Sequence, residues 1–335
     1  MVLRDLDDLL GKTTDELKSC KNRLDDLEKV ENISGDVITD IEGDITTIEG
    51  DITTIEGDIT TIEGDITTIE GDITTLQNDV NALEASFNNG AYQGIISALQ
   101  FLPALRGLWV SSLDESGDVY DFSEQGRKLT NPGPALVGLD DRWPYLQFDG
   151  SNDYLYRGDE AGLDISGAES FVESAYQGLT AGGVFRFDDL SGANNMGVLG
   201  RWKTTGNQRS WLLYLRDTTQ RLQAVASDNG TSTVMSIASS KVLGSKDYYF
   251  CVFRFVPSTS LDVWVNDTKD SDTAGTLIAT LFNTSAQFNV MAYNDGAAAN
   301  RNQGREVFSF LCAAALSDDL IELIYANCAE VFGLS

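Results

Sequence analysis

The chain has 335 residues, with 23 Lys and Arg against 52 Asp and Glu, no His, and a net charge of −29. Nucleic acid is held by clustered cations that release counterions; here the few cations are scattered among carboxylates, which excludes nucleic acid as a partner and disfavours an anionic membrane surface. The lack of histidine removes Ser-His-Asp hydrolysis, Cys-His proteolysis and His-ligated metals together, so the expectation is a protein that is not an enzyme.

Phe87 is the one aromatic residue among the first 90, and every Trp and Tyr lies beyond it, so a packed core belongs to the C-terminal part. Residues 1–8 carry carboxylates where a signal peptide needs a basic region and an apolar run. Synthesis in a reducing cytoplasm without a secretion signal is therefore expected. Cys20, Cys251, Cys312 and Cys328 lack the paired short spacing of a metal or redox centre and read as free thiols.

Residues 1–37 are expected to form an N-terminal helical segment and residues 38–87 a heptad-repeat stalk. Over residues 44–71 the unit Asp-Ile-Thr-Thr-Ile-Glu-Gly stands four times without a substitution. Ile45, Ile48, Ile52, Ile55, Ile59, Ile62, Ile66, Ile69, Ile73, Leu76, Val80 and Leu83 alternate spacings of three and four, the pattern of a coiled-coil core. The register extends back through Ile41 and Ile38, and again through Leu27, Leu24, Cys20, Leu17, Thr13 and Leu10. Over residues 28–37 a second set, Val30, Ile33 and Val37, lies one residue off, so a shift or break is expected there, with Gly35 as its mark.

Each repeat's two Thr, one Gly and two Ile cost roughly 3 kcal/mol of helix propensity relative to Ala. Burying two Ile contributes on the order of 3–6 kcal/mol per chain, so the helix holds only with partner helices over the seam. β-branched Ile at both core positions favours trimers or tetramers over dimers, and a homotrimer is expected. Glu at e and Asp at g set like charges side by side; either divalent cations or salt relieve them, or they form a solvated acidic surface. A β-solenoid suits the Ile and Thr propensities, but an odd period would move the Ile set to the other face at each repeat.

Residues 88–107 read as a neck, with Asn88-Asn89-Gly90 suited to a helix C-cap and a short helix over 92–102, Ile95, Leu99 and Leu102 on one face, stopped by Pro103. The apolar run 101–110 contains Pro103 and Arg106 and is too short to span a bilayer, so no membrane insertion is expected. Residues 108–335 read as a globular head. Its short apolar runs between Gly, Asn, Asp and Ser clusters predict an antiparallel sandwich or jelly roll, with strands at 145–148, 154–156, 182–187, 196–202, 211–215, 222–227, 234–238, 248–256, 261–265, 288–293 and 307–314. Residues 318–332 predict a terminal helix, with Ser317 as N-cap and Leu320, Ile321, Ile324 and Tyr325 on its buried face.

The segment Leu146-Gln147-Phe148-Asp149-Gly150-Ser151-Asn152-Asp153-Tyr154-Leu155 resembles the strand-turn-strand signature of laminin-G-like domains, in the wider concanavalin A-like lectin and glucanase group. Three further matches follow in that family's order: 211–230 with its paired central strands, 248–266 with its strand pair ending in Val265-Asn266, and 304–325 with its last strand, Ala315-Leu316-Ser317-Asp318 and a helix. The sequence departs from the family at Asp121-Phe122-Ser123-Glu124-Gln125-Gly126 and at Asp267, both in turns. The fold expected is thus an N-terminal all-α trimeric coiled coil plus a C-terminal all-β jelly-roll sandwich of the laminin-G or concanavalin A kind, with a short terminal helix. A heptad stalk under such a head also resembles bacteriophage tail fibres, head fibres and related virion appendages. That resemblance implies a location on the virion surface, other virion proteins as partners of the N-terminus, and host-surface glycan or protein as the ligand of three heads. The alternatives are a virion decoration or structural fibre without a specific ligand, and a fibre-borne depolymerase.

Glycosidases need two carboxyl groups across one sugar, and glucanases of this fold group carry them on one strand with a Glu-x-Asp-x-x-Glu spacing that this sequence lacks. The pairs Asp140-Asp141, Asp188-Asp189 and Asp318-Asp319 fall in turns or at a helix start. For ligand binding, Arg201, Trp202 and Trp211 are the candidates, since sugar faces stack on indole rings, with a core role as the alternative for each Trp; Asn294 is added from its turn. No cofactor is expected. Calcium is the one candidate ion, with Asp149, Asn152, Asp153 and Asp295 as oxygen donors, the alternative being that Asp, Asn and Gly there make tight turns.

Overall fold

The heptad segment is one helix, α1, Val2–Phe87, and its threonine hydroxyls bond back along it. Thr hydroxyls compete with a helix when they bond the backbone elsewhere. Here Thr46 Oγ1 donates to the Glu42 carbonyl at 2.9 Å and Thr47 Oγ1 to that of Gly43 at 3.0 Å, and each later repeat does the same as far as Thr74 and Thr75. The β-solenoid alternative is therefore overturned. So is a backbone break at Gly35: the helix continues through it, and Thr39 donates to its carbonyl at 3.0 Å. The slip near residues 28–37 is a change of apolar face, not of backbone. Along one helix the seam stays half exposed, at 50% for Ile45 and 56% for Ile48.

The computed structural model describes residues 2–87, 90–133, 135–140, 143–167, 177–190, 195–294, 297 and 300–334. Asn88, Asn89, Asp141 and Asp295 lie outside the described residues, as do the side chains of Val80 and Leu83. The chain divides into two units, Met1–Asp79 and Val80–Ser335. No helix among the described residues is long and apolar enough to cross a membrane.

Among its described residues the second unit holds two antiparallel sheets. One has nine strands, in the order β13 (Thr268–Asp272), β12 (Ser260–Val265), β11 (Tyr248–Val256), β6 (Leu179–Phe187), β15 (Gln303–Cys312), β1 (Leu105–Leu113) and β2 (Val119–Asp121), with β4 (Trp143–Asp149) also on β15 and β3 (Leu136–Asp140) on β4. The other has six, in the order β10 (Met235–Ala238), β9 (Arg221–Gly230), β8 (Gln208–Arg216), β7 (Met196–Lys203), β14 (Phe288–Val290) and β5 (Leu155–Arg157). Alternation along each strand sends one set of side chains between the sheets: Trp211, Leu213 and Leu215 from β8 and Leu222, Ala224 and Ala226 from β9 meet Phe253, Phe255 and Phe185. This is a jelly-roll-like sandwich.

A second apolar layer covers the outer face of the nine-stranded sheet. There α2 (Gly90–Leu99) and α3 (Asp318–Phe332) pack on Phe250, Val252, Phe308 and Phe310, and Tyr92 meets Phe332 edge-on with ring centroids 6.2 Å apart. Residues 90–107, read as a neck, are therefore part of the head: Tyr92, Ile95, Ile96 and Leu99 are buried, and β1 begins at Leu105. Ser317 caps α3 as expected, its side chain accepting from the Leu320 N–H at 3.3 Å. The buried face is Ile321, Ile324, Cys328 and Phe332, while Leu320 and Tyr325 sit at its edge. All four cysteines are free thiols; burial pushes those of Cys251, Cys312 and Cys328 above their ordinary range.

Candidate functional site

Among the described residues no helix packs on the outer face of the six-stranded sheet. The site on this face is made by bulges. Pairing of β7 with β8 slips between Gly197 and Leu199 and again between Arg201 and Trp202, and a bulge re-aims neighbouring side chains. Alternation along β7 sends Arg201 inward and Trp202 outward, which separates two candidates that adjoin in sequence, while the second slip, with Ser210 as the extra residue on β8, sets Arg209 opposite Trp202.

Arg201 is 2% exposed and every one of its five N–H donors is used. Nε donates to the Ala286 carbonyl at 3.1 Å, Nη1 to the Leu163 carbonyl and Asp164 Oδ1 at 2.7 Å each, and Nη2 to the Thr284 carbonyl at 2.6 Å and to Asp159. No donor remains for a ligand, so Arg201 is a structural ion pair, contrary to expectation. Trp211 is corrected likewise: it is 1% exposed between the sheets, with ring centroids 5.0 Å from Phe253 and 6.1 Å from Phe288. Trp202 faces the outer side but is only 5% exposed, buried with Leu212 and Val225 in a small apolar cluster that Tyr214 and Tyr293 flank, so it supports the cleft and is not an open stacking ring.

A cleft of about 230 Å³ opens over this cluster, lined also by Asn195, Thr204, Arg209 and Thr233. That is below the roughly 300–1,000 Å³ of pockets for drug-sized ligands, and suits one ring. Burial raises the phenols of Tyr214 and Tyr293 above their ordinary range, so both stay neutral and keep a hydroxyl. Tyr214 donates to Gln223 Oε1 at 2.8 Å, and Gln223 donates to Ser236 Oγ at 2.5 Å, a polar ladder crossing β8, β9 and β10. Asn294 holds the cleft's edge instead of facing a ligand. At φ 55° its N–H donates to the Trp202 carbonyl at 2.9 Å, its Oδ1 accepts from the Thr204 N–H at 2.8 Å, and its Nδ2 donates to Asn300 Oδ1 at 3.0 Å.

Sequence reasoning missed Tyr214, Tyr293 and Arg209. Tyr214 was within reach, because once Trp211 and Leu213 face inward the period of two puts Leu212 and Tyr214 outward. Tyr293 reaches the cleft only because the chain after β14 folds back against β7, which no local pattern announces.

The calcium candidates turn onto their own backbone. Asp149 Oδ1 accepts from the N–H groups of Ser151 and Asn152 at 2.7 and 3.1 Å, and Asp153 Oδ2 accepts from the Asp149 N–H at 3.1 Å. Burial pushes the Asp149 carboxyl up, but the Ser151, Asn152 and Asp153 N–H groups outweigh it and hold it below its ordinary value; burial raises Asp153. Arg301 donates to the Ser151 carbonyl and stacks on Tyr154 with 5.0 Å to the ring centroid, placing a cation beside the turn. Among the described residues no group of three or more acidic, His or Cys side chains is placed to hold a metal. The other carboxylates are engaged too: Asp188 with Arg186 at 2.7 Å, Asp140 with Arg305 at 2.7 Å and with the Tyr248 hydroxyl at 3.0 Å, and Asp318 with Arg254 at 2.6 Å.

No family model matches the chain, and no curated protein matches it. Among solved structures it is similar to the binding domain of Paraclostridial Mosquitocidal Protein 1, at 12% identity and a TM-score of 0.51 over 66% of this chain and 52% of that one. The receptor binding domain of botulinum neurotoxin C/D mosaic serotype stands beside it at 12% identity and 0.49, over 67% and 51%. The chain spans about half the length of these solved domains. At such identity the first likeness is one of fold, and the fold is an all-β sandwich.

Proposed function

We propose that the protein is a non-enzymatic adhesin of the fibre type, in which three chains join through α1 and present three sandwich heads to a surface glycan or protein of a host. The observation that carries this reading is the isoleucine seam of α1, half exposed on one helix and repeated without a substitution over residues 44–71. Such a seam leaves water only against copies of itself, and β-branched residues at both core positions favour three or four strands over two, of which we take three. The head supports the adhesive half: the six-stranded sheet carries an aromatic-walled cleft on its outer face. The similar solved domains are themselves described as binding and receptor binding domains. The resemblance to bacteriophage fibres of heptads joined to such a sandwich supports a place on a virion surface, with the N-terminal end of α1 as the attachment to other virion proteins.

Sedimentation of the full-length chain is expected to give a trimer with strong helical dichroism, and the labelled trimer is expected to bind host cells. A monomer would remove the reading at its base. A trimer that ignores cells and glycan arrays alike would favour a structural fibre without a specific ligand.

A further inference from the structure

The cleft reverses the charge of the molecule around it. The chain as a whole has more than two acidic residues for each basic one, yet the residues lining the cleft include one cation, Arg209, and no carboxylate. The strands beneath lean the same way: over residues 195–230 stand Arg201, Lys203, Arg209, Arg216 and Arg221 against Asp217 and Asp228. Of these cations Arg201 is spent inside the sandwich on Asp159 and Asp164. The remainder belong to β7, β8 and β9, the strands that carry the cleft.

Arg209 is held yet not exhausted. Its Nη1 donates to the carbonyls of Gly230, at 3.4 Å, and Thr231, which fixes the guanidinium against the end of β9. None of the described residues accepts from its Nε or Nη2, which leaves donors for a planar anion. A guanidinium anchored on one side and unspent on the other suits a carboxylate. Tyr293 and Tyr214 supply ring faces, and Thr204 and Thr233 supply hydroxyls at the rim, the mixture of apolar face and short polar groups that a pyranose presents in return.

We infer that the cleft recognises one acidic sugar ring, a carboxylate-bearing pyranose, with Arg209 reading the carboxylate and the tyrosines holding the ring. The inference rests on the adhesin reading for its setting and names the ligand class of that site. Full-length protein is to be examined by saturation-transfer NMR with galacturonic acid oligomers and, in parallel, with neutral galactose oligomers of equal length. Galacturonate is expected to bind at least tenfold more tightly, with the advantage shrinking as salt rises. Arg209→Gln is expected to bring the two sugars within about twofold, Arg209→Lys to keep part of the preference, and Tyr293→Ala to weaken both sugars together.

Equal binding of the two sugars by the unaltered protein, or a preference for galactose, overturns the inference whatever the variants do. Binding of neither sugar by a protein that still adheres to host cells overturns it as well and leaves the adhesin reading standing. Preference for galacturonate by a protein that adheres to no cell keeps the inference and removes adhesion.

Discussion

Side chains that titrate or pair inside the sandwich set the head's tolerance to change. Glu306 on β15 is 1% exposed, and neither of its carboxylate oxygens has a hydrogen-bond partner of good geometry. Burial pushes its carboxyl up to about 7, against a smaller opposing pull from the Ser309 hydroxyl. An acid raised in the folded state binds its proton more tightly there than in the unfolded chain, so its contribution favours folding at low pH and is lost as pH climbs from about 4.3 to about 7. Glu306→Gln is expected to leave stability near pH 4 almost unchanged and to raise it at pH 8 by on the order of 3–4 kcal/mol, read as a flatter pH dependence of urea denaturation. Arg201 works in the opposite direction. Arg201→Ala would leave three carbonyls and two carboxylates without their donor, and a loss of about 3–5 kcal/mol is expected in the same measurement. These two roles were not legible in the sequence. Arg201 reads as a binding candidate because it adjoins Trp202, but in a strand neighbours face opposite ways, and only the sheet packing shows which of the two faces inward.

At the scale of elements, those with a period of their own were legible and those without were not. The heptads specify α1, and the span predicted for α3 coincides with its observed bounds, because Ser317 and the acidic first turn mark its start. By contrast β13 is Thr268-Lys269-Asp270-Ser271-Asp272, polar throughout, and exists as a strand because β12 pairs with it along its length. The first residues of β1, 105–107, fall in the span that reads as a neck after Pro103, whereas the register of β1 is set by β15. The acidic rows of α1 carry a prediction of their own. No Lys or Arg stands between Lys29 and Arg106, so in a bundle the flanking positions repel at every repeat. Raising NaCl shortens the screening length from about 10 Å at 0.1 M to about 3 Å at 1 M, and the helical melting transition of the full-length protein is expected to move upward. Millimolar calcium at fixed ionic strength separates bridging from screening: a further rise would mean that cations join the rows, and no change that the rows are simply solvated.

For the whole molecule, the prediction concerns number. Three sites on one stalk gain avidity with no new contact, by about 10²–10⁴ over one site. Replacing Ile59 and Ile62 by Asn in the full-length chain is expected to give monomers that lose adhesion to cells by that factor, while binding of a soluble monovalent sugar stays the same; equal adhesion by monomer and trimer would remove avidity from the account. The sequence by itself determined the division into a long helix and a mainly β unit, the absence of histidine and most of the strands, because each of these follows from composition or from a period that a short stretch of chain carries within itself. Only the tertiary structure decided that Trp211 and Arg201 belong to the interior, that Asn294 and the Asp149 turn bond their own backbone, and that Tyr214, Tyr293 and Arg209 stand together over Trp202. A cleft is made by residues distant in sequence, and which of them face one another depends on bulges and sheet order that no single stretch of chain encodes.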